Sequence, residues 1–246
     1  MRCDIIFSVI KMKRFKTLSI FLTFCMCLCT FLLAGCNNQE TDFSELSYVT
    51  FGDSITASQH IAPTAYTETV GKTLQLKKFQ NNGVSGATLI SGAQNRTWIF
   101  DQIAKAQQNA DIISLLGGIN DFAISANLGT IDSTDTATIY GALNKIVCEL
   151  KNKYPNSFIF LMTPLKCISR TGKNGADIEL VDIANAIKNI GKKYSVAVLD
   201  LYNDCEFSSV TDPETPDGLH PSQTFVTNNM SSTISNFIRK NYKKSK

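Results

Sequence analysis

"YVTFGDSITASQH", residues 48–60, decides how the chain is read. Tyr48 to Phe51 is a short run of aromatic and β-branched residues, the composition of a buried strand, and Gly52 ends it. An acid and a hydroxyl, Asp53 and Ser54, follow at once, and His60, one of the chain's 2 histidines, stands beyond them. In open α/β sheets ligands bind outside the carboxyl ends of strands, so a strand ending on Ser54 puts that hydroxyl where a ligand would sit. Gly-Asp-Ser is also an ordinary turn sequence, and only the rest of the chain separates the two readings.

Working outward, runs of the same kind recur: "KKFQNNG" (77–83, the weakest), "DIISLLG" (111–117), "SFIFLMT" (157–163) and "VAVLDLY" (196–202). Segments of helical period fall between them, near 64–75, 96–108, 136–152 and 177–193, with a last one near 222–241. This alternation predicts an α/β domain built on a parallel sheet. Ile178, Val181, Ile183, Ala184, Ile187 and Ile190 form one apolar stripe, and Lys192 and Lys193 sit in the last turn, where the helix dipole favours cations. Phe225, Met230, Ile234, Phe237 and Ile238 repeat the pattern more weakly. No internal repeat or second core is evident, so residues 48–246 read as one domain.

The first 35 residues stand apart. Lys11, Lys13, Arg14 and Lys16 precede an uncharged run, 18–35, the layout of a secretory leader whose start is Met1 or Met12. A membrane-spanning helix is the alternative, since the run is just long enough. Its ending favours a leader: Leu33-Ala34-Gly35-Cys36 resembles the lipobox of bacterial lipoproteins, which implies cleavage before Cys36 and a diacylglycerol on its sulfur. The protein would then be extracytoplasmic and anchored to the membrane through Cys36 without crossing it. Residues 36–47 are polar and read as a tether.

Of 24 Lys+Arg and 21 Asp+Glu, the leader holds five and one, which leaves 19 basic and 20 acidic residues. A near-neutral body offers no field to gather nucleic acid, and none is expected as a partner. Once Cys36 and the leader cysteines are set aside, Cys148, Cys167 and Cys205 remain. With no C-x-x-C pair and two scattered histidines, no metal site and no cofactor is expected.

Hydrolysis by a serine needs a base, a group that holds the base, and donors for the oxyanion. The usual G-x-S-x-G elbow is absent, and four blocks stand in its place. The first is Gly52-Asp53-Ser54. The second, Asn81-Asn82-Gly83-Val84-Ser85-Gly86, follows the second strand; Gly86 lets the main chain approach a ligand with its N–H exposed, or simply makes a tight turn. The third, Gly117-Gly118-Ile119-Asn120-Asp121, ends the third strand, where Asn120 offers a neutral amide donor or a cap. The fourth, Asp217-Gly218-Leu219-His220-Pro221, has a carboxylate three residues before an imidazole, so one turn can join Asp217 to Nδ1 and leave Nε2 for a hydroxyl; a plain turn-rich loop is the other reading.

Together, in order from Ser54 to His220, the blocks resemble the SGNH (GDSL-type) hydrolase family. That resemblance implies a three-layer α/β/α fold with a five-stranded parallel sheet in the flavodoxin-like order 2-1-3-4-5. It also implies Ser54 as nucleophile, His220 as general base, Asp217 as its orienting acid, and an oxyanion hole made by the N–H groups of Ser54 and Gly86 and the amide of Asn120. Ile55 replaces the leucine of the family name, a swap of similar volume. His60 reads as a bystander, and Asp53 as a shaper of the turn through local N–H groups. Trp98 and Arg96 either line the mouth of the site or, for Trp98 with Ile99 and Ile103, build helix core, the favoured reading. Cys148 reads as a buried helix residue, and Cys167 and Cys205, past neighbouring strand ends, as able to pair in an oxidising exterior. An esterase acting on a small-molecule or polysaccharide ester, with a short acyl group on a carbohydrate, is the leading expectation. A lipid or thioester acylhydrolase and a non-catalytic carbohydrate-binding lipoprotein remain open, and the oligomeric state is not legible.

Overall fold

A computed structural model describes residues 41–58, 62–106, 109–205 and 215–243. Cys36 and His60 lie outside the described residues, as do the leader and most of the expected tether. The chain divides between Thr41 and Asp42, and the sheet and its helices belong to the unit Asp42–Lys246.

Five strands, β1 (Ser47–Gly52), β2 (Lys78–Asn81), β3 (Ile112–Leu116), β4 (Phe158–Met162) and β5 (Ala197–Leu199), form one sheet in the order β2-β1-β3-β4-β5. Every pairing is parallel, as expected. β3 is buried throughout, as the inner strand of a sheet covered on both faces must be. β2 is one of the two edges, with Phe79 37% exposed, which explains why its sequence carried so faint a strand signal. Register aligns Gly52 with Leu116 and Leu116 with Met162, so the segments leaving β1, β3 and β4 emerge along one rim.

The helices are α1 (Ser54–Ala57), α2 (Tyr66–Thr73), α3 (Ile99–Lys105), α4 (Ile119–Ala123), α5 (Ile139–Lys153), α6 (Leu180–Tyr194), α7 (Leu201–Asp204), α8 (Gln223–Phe225) and α9 (Ser231–Asn241), with a π-helical turn, Val226–Met230, joining the last two. Strand alternation divides the core into two clusters. Val49, Phe51, Ile113, Leu115 and Leu161 meet α3, α5 and α6 through Ile99, Ile103, Ile146 and Ile187. Tyr48, Ile112, Leu116, Phe160 and Met162 meet α2 and the C-terminal helices through Tyr66, Val70, Phe225, Ile234 and Ile238. Burying each such aliphatic side chain stabilises the fold by about 1.5–3 kcal/mol.

Local signals account for the boundaries. α6 starts at Leu180, later than the apolar stripe suggests, because Asp177 takes a φ of +60° and Glu179 caps the helix in a reciprocal box with Asp182. The weak period of the C-terminal helix has its cause in the π turn, which widens the spacing between the buried Phe225 and Met230. The fifth strand stops at Leu199, short of the expected Tyr202, because Asp200 begins a turn held by Lys188, Thr163 and Asn203.

Three expectations need correction. The tether reading of 36–47 fails at its end: Phe43 and Leu46 are buried in the second cluster and Ser47 opens β1, hydrogen-bonded to Asp111. Cys148 is exposed, on the outer side of α5, with its thiol 3.7 Å from the Tyr194 hydroxyl. No disulfide joins Cys167 and Cys205: they belong to the clusters on opposite faces of the sheet, and the Cys167 thiol donates to the Gly218 carbonyl at 2.9 Å.

Candidate active site

β1 delivers Gly52, Asp53 and Ser54 to the rim, and α1 begins at the serine. Asp53 is the N-cap, its carboxylate accepting from the Ile55 N–H at 3.0 Å, so it shapes the turn as its position suggests. The backbone just before it is clamped: Gln102, buried on α3, accepts from the Gly52 N–H at 3.1 Å and donates to the Gly52 carbonyl at 2.9 Å. Ser54 itself is buried, 8% exposed.

The fourth block arrives from across the molecule. The Ser54 Oγ lies 2.9 Å from His220 Nε2. The other ring nitrogen, Nδ1, lies 2.7 Å from Asp217 Oδ2. Asp217 Oδ1 also accepts from the N–H groups of Leu219 and His220, at 2.9 and 2.7 Å, so one carboxylate organises both the loop and the ring it carries. Burial pushes the Asp217 carboxyl up, but the hydrogen bonds from the His220 ring and from the two N–H groups outweigh it and hold it below the usual carboxylate range. An ionised partner at Nδ1 fixes the tautomer with Nε2 unprotonated and ready to accept.

The second and third blocks meet beside this pair. Gly86 has a φ of +75°, a left-handed conformation that L side chains resist, and Gly118, the N-cap of α4, has a φ of +110°. Val84 donates to the Gly52 carbonyl at 3.0 Å, which lays the second block against the first. Asn120 Nδ2 donates to the Ala87 carbonyl at 3.0 Å, and its Oδ1 lies 3.3 Å from Arg96 Nη1, which also donates to the Gly86 carbonyl at 3.0 Å. One amide proton of Asn120 is thereby used. Asn120→Ala is expected to leave folding intact and lower kcat by about 10²- to 10³-fold, the cost of one oxyanion donor; unchanged ester hydrolysis would remove Asn120 from this role.

Three supporting residues were not given these parts by sequence reasoning. Asp121, fully buried, accepts from the N–H groups of Leu89 and Ile90, both at 2.9 Å, and ties the third block to the loop after the second. Burial pushes its pKa up to about 6 against the pull of those bonds and of Arg96. Asp53 is pushed up to about 7, again chiefly by burial, partly offset by the Ile55 bond and augmented by the charge of Asp121. Gln102 is a polar residue in the same helical stripe as Ile99 and Ile103, and that misplaced polarity was its available signal. Arg96, expected at the mouth, binds the Gly86 carbonyl and Asn120 Oδ1. Trp98 is half-buried, stacked on Phe100 at 4.5 Å with its indole N–H donating to Leu89, while Ile99 and Ile103 go into the core without it.

A hydroxyl, an imidazole and a carboxylate in series, on the carboxyl rim of a parallel five-stranded sheet, define the class of serine-type hydrolytic sites on an α/β scaffold. The chain belongs to the GDSL-like lipase/acylhydrolase family, which it matches over residues 50–224, and so to the carboxylic ester hydrolases. Among curated proteins none matches it. Among solved structures it is similar to a possible lipase from Chitinophaga pinensis, 22% identical, with a TM-score of 0.65 over 80% of this chain and 98% of that one. A mutant acetyl-xylooligosaccharide esterase from Geobacillus is 21% identical, with a TM-score of 0.57 over 84% and 99%. A carbohydrate acetylesterase from Sinorhizobium meliloti is 16% identical, with a TM-score of 0.60 over 80% and 100%. At these identities the likeness is one of fold.

Proposed function

We propose that the protein is a serine esterase that removes a short acyl group, acetyl in the first instance, from an extracellular carbohydrate. The observation that carries the reading is the unbroken series Ser54 Oγ, His220 Nε2, His220 Nδ1 and Asp217 Oδ2, at 2.9 and 2.7 Å. His220 takes the Ser54 proton as Oγ attacks the acyl carbon, and the charge on the carbonyl oxygen falls to the N–H groups of Ser54 and Gly86 and the amide of Asn120. The imidazolium then protonates the leaving sugar oxygen. Water repeats the sequence on the acyl-enzyme and frees the acid.

Two features support a small acyl group on a carbohydrate. The recess beside the hydroxyl is lined by the small or apolar side chains of Ile55, Ser58, Ala62, Pro221 and Val226 together with Ser54 and His220, a setting suited to a small acyl group. Two solved structures of similar fold are acetylesterases of saccharides. The location outside the cytoplasm, on a lipid anchor at Cys36, is proposed on residues 33–36 and the uncharged run before them. The test is a chain-length series: kcat/KM for p-nitrophenyl acetate should exceed that for the octanoate by at least about tenfold. A preference for octanoate would sink the short-acyl reading and favour a lipid substrate, and a screen of acetylated glycans then names the sugar.

A further inference from the structure

We infer that Arg96 is a positioning residue for the oxyanion hole, acting through Asn120 and Gly86; the inference rests on the esterase reading. Its single nitrogen Nη1 carries two protons, and two acceptors stand within reach: the Gly86 carbonyl at 3.0 Å and Asn120 Oδ1 at 3.3 Å. Those acceptors belong to two of the three groups assigned to the oxyanion, brought together from separate strand ends.

A side-chain amide is nearly symmetrical in shape, and the wrong way round it would aim a carbonyl oxygen at the developing negative charge. At Asn120 both ends are specified: Oδ1 faces the guanidinium and Nδ2 faces the Ala87 carbonyl, and the remaining N–H is the one that the esterase reading assigns to the oxyanion. The cation also draws electron density from the amide oxygen, which makes the opposite N–H a stronger donor. On the main chain, the bond to the Gly86 carbonyl adds to the turn bond from the Ala87 N–H to the Val84 carbonyl in holding a residue with a φ of +75°. Methionine at 96 keeps an unbranched stem and loses every donor. Lysine keeps the charge and can reach one acceptor at a time, without the planar fork.

The experiment is a double-mutant cycle on p-nitrophenyl acetate with Arg96→Met, Asn120→Ala and the pair. Arg96→Met is expected to lower kcat about tenfold to a hundredfold, below the cost of losing the donor itself, with KM within about twofold. In the Asn120→Ala background the same substitution should cost less than about threefold, and Arg96→Lys should recover part of the loss. Full additivity, an unchanged kcat, or an effect carried by KM alone would overturn the inference. If Arg96→Met does not fold, Arg96→Lys takes its place in the cycle under the same criteria. Failure of the esterase reading would show separately, as a parent protein that neither hydrolyses the ester nor takes up a fluorophosphonate.

Discussion

Replacing Ser54 by alanine is expected to abolish labelling by a fluorophosphonate and to lower kcat by about 10⁵- to 10⁶-fold, with the melting temperature almost unchanged. Only Oγ is lost. The turn beneath it is held by groups that alanine leaves in place, namely the Asp53 cap on Ile55 and the two bonds of Gln102 to Gly52. The size of the effect comes from interdependence: with no hydroxyl for His220 to activate, the remaining members have nothing to act on, and only the residual catalysis of the oxyanion hole and of binding survives. Labelling that persists in the variant would place the nucleophile elsewhere in the chain.

The second large effect is expected from Asp217→Asn, about 10⁴-fold in kcat, through a reversal of the imidazole tautomer. Oδ1 of residue 217 accepts from two backbone N–H groups, so an asparagine keeps its oxygen there and presents its NH₂ to His220 Nδ1. The ring must then accept at Nδ1 and carry its proton on Nε2, which faces Ser54 as a donor and cannot take the hydroxyl proton. Because the loop bonds survive, melting should change little while turnover collapses. Activity within about tenfold of the parent would mean that another group orients the ring.

Much of this architecture could be read from residue order. β1, β3 and β4 are runs of apolar residues long enough to be strands and too short to be helices, and the segments after β1 and β3 carried polar residues suited to a site. The sheet order and the meeting of Ser54 with His220 came through resemblance to a family and not through local pattern, since nothing near position 54 encodes a partner 166 residues away. Where reading failed, tertiary contacts had overridden local character. Phe43 and Leu46 are two apolar residues in a polar stretch, and only the completed sheet offers them a place to be buried. Cys148 keeps helical spacing yet falls just off the buried stripe of α5. Gln102, Asp121 and Arg96 took on their parts because each answers a backbone or amide group that no single segment shows.

The two buried carboxyls, Asp53 and Asp121, have a consequence for the conditions the enzyme tolerates. Folded, Asp53 and Asp121 give up their protons near pH 7 and pH 6; in an unfolded chain they would do so near pH 4. Both are raised, so the stabilisation they confer is complete below about pH 4 and drains away as the medium rises through 6 and 7. Through this pair alone, the fold holds best in acid surroundings.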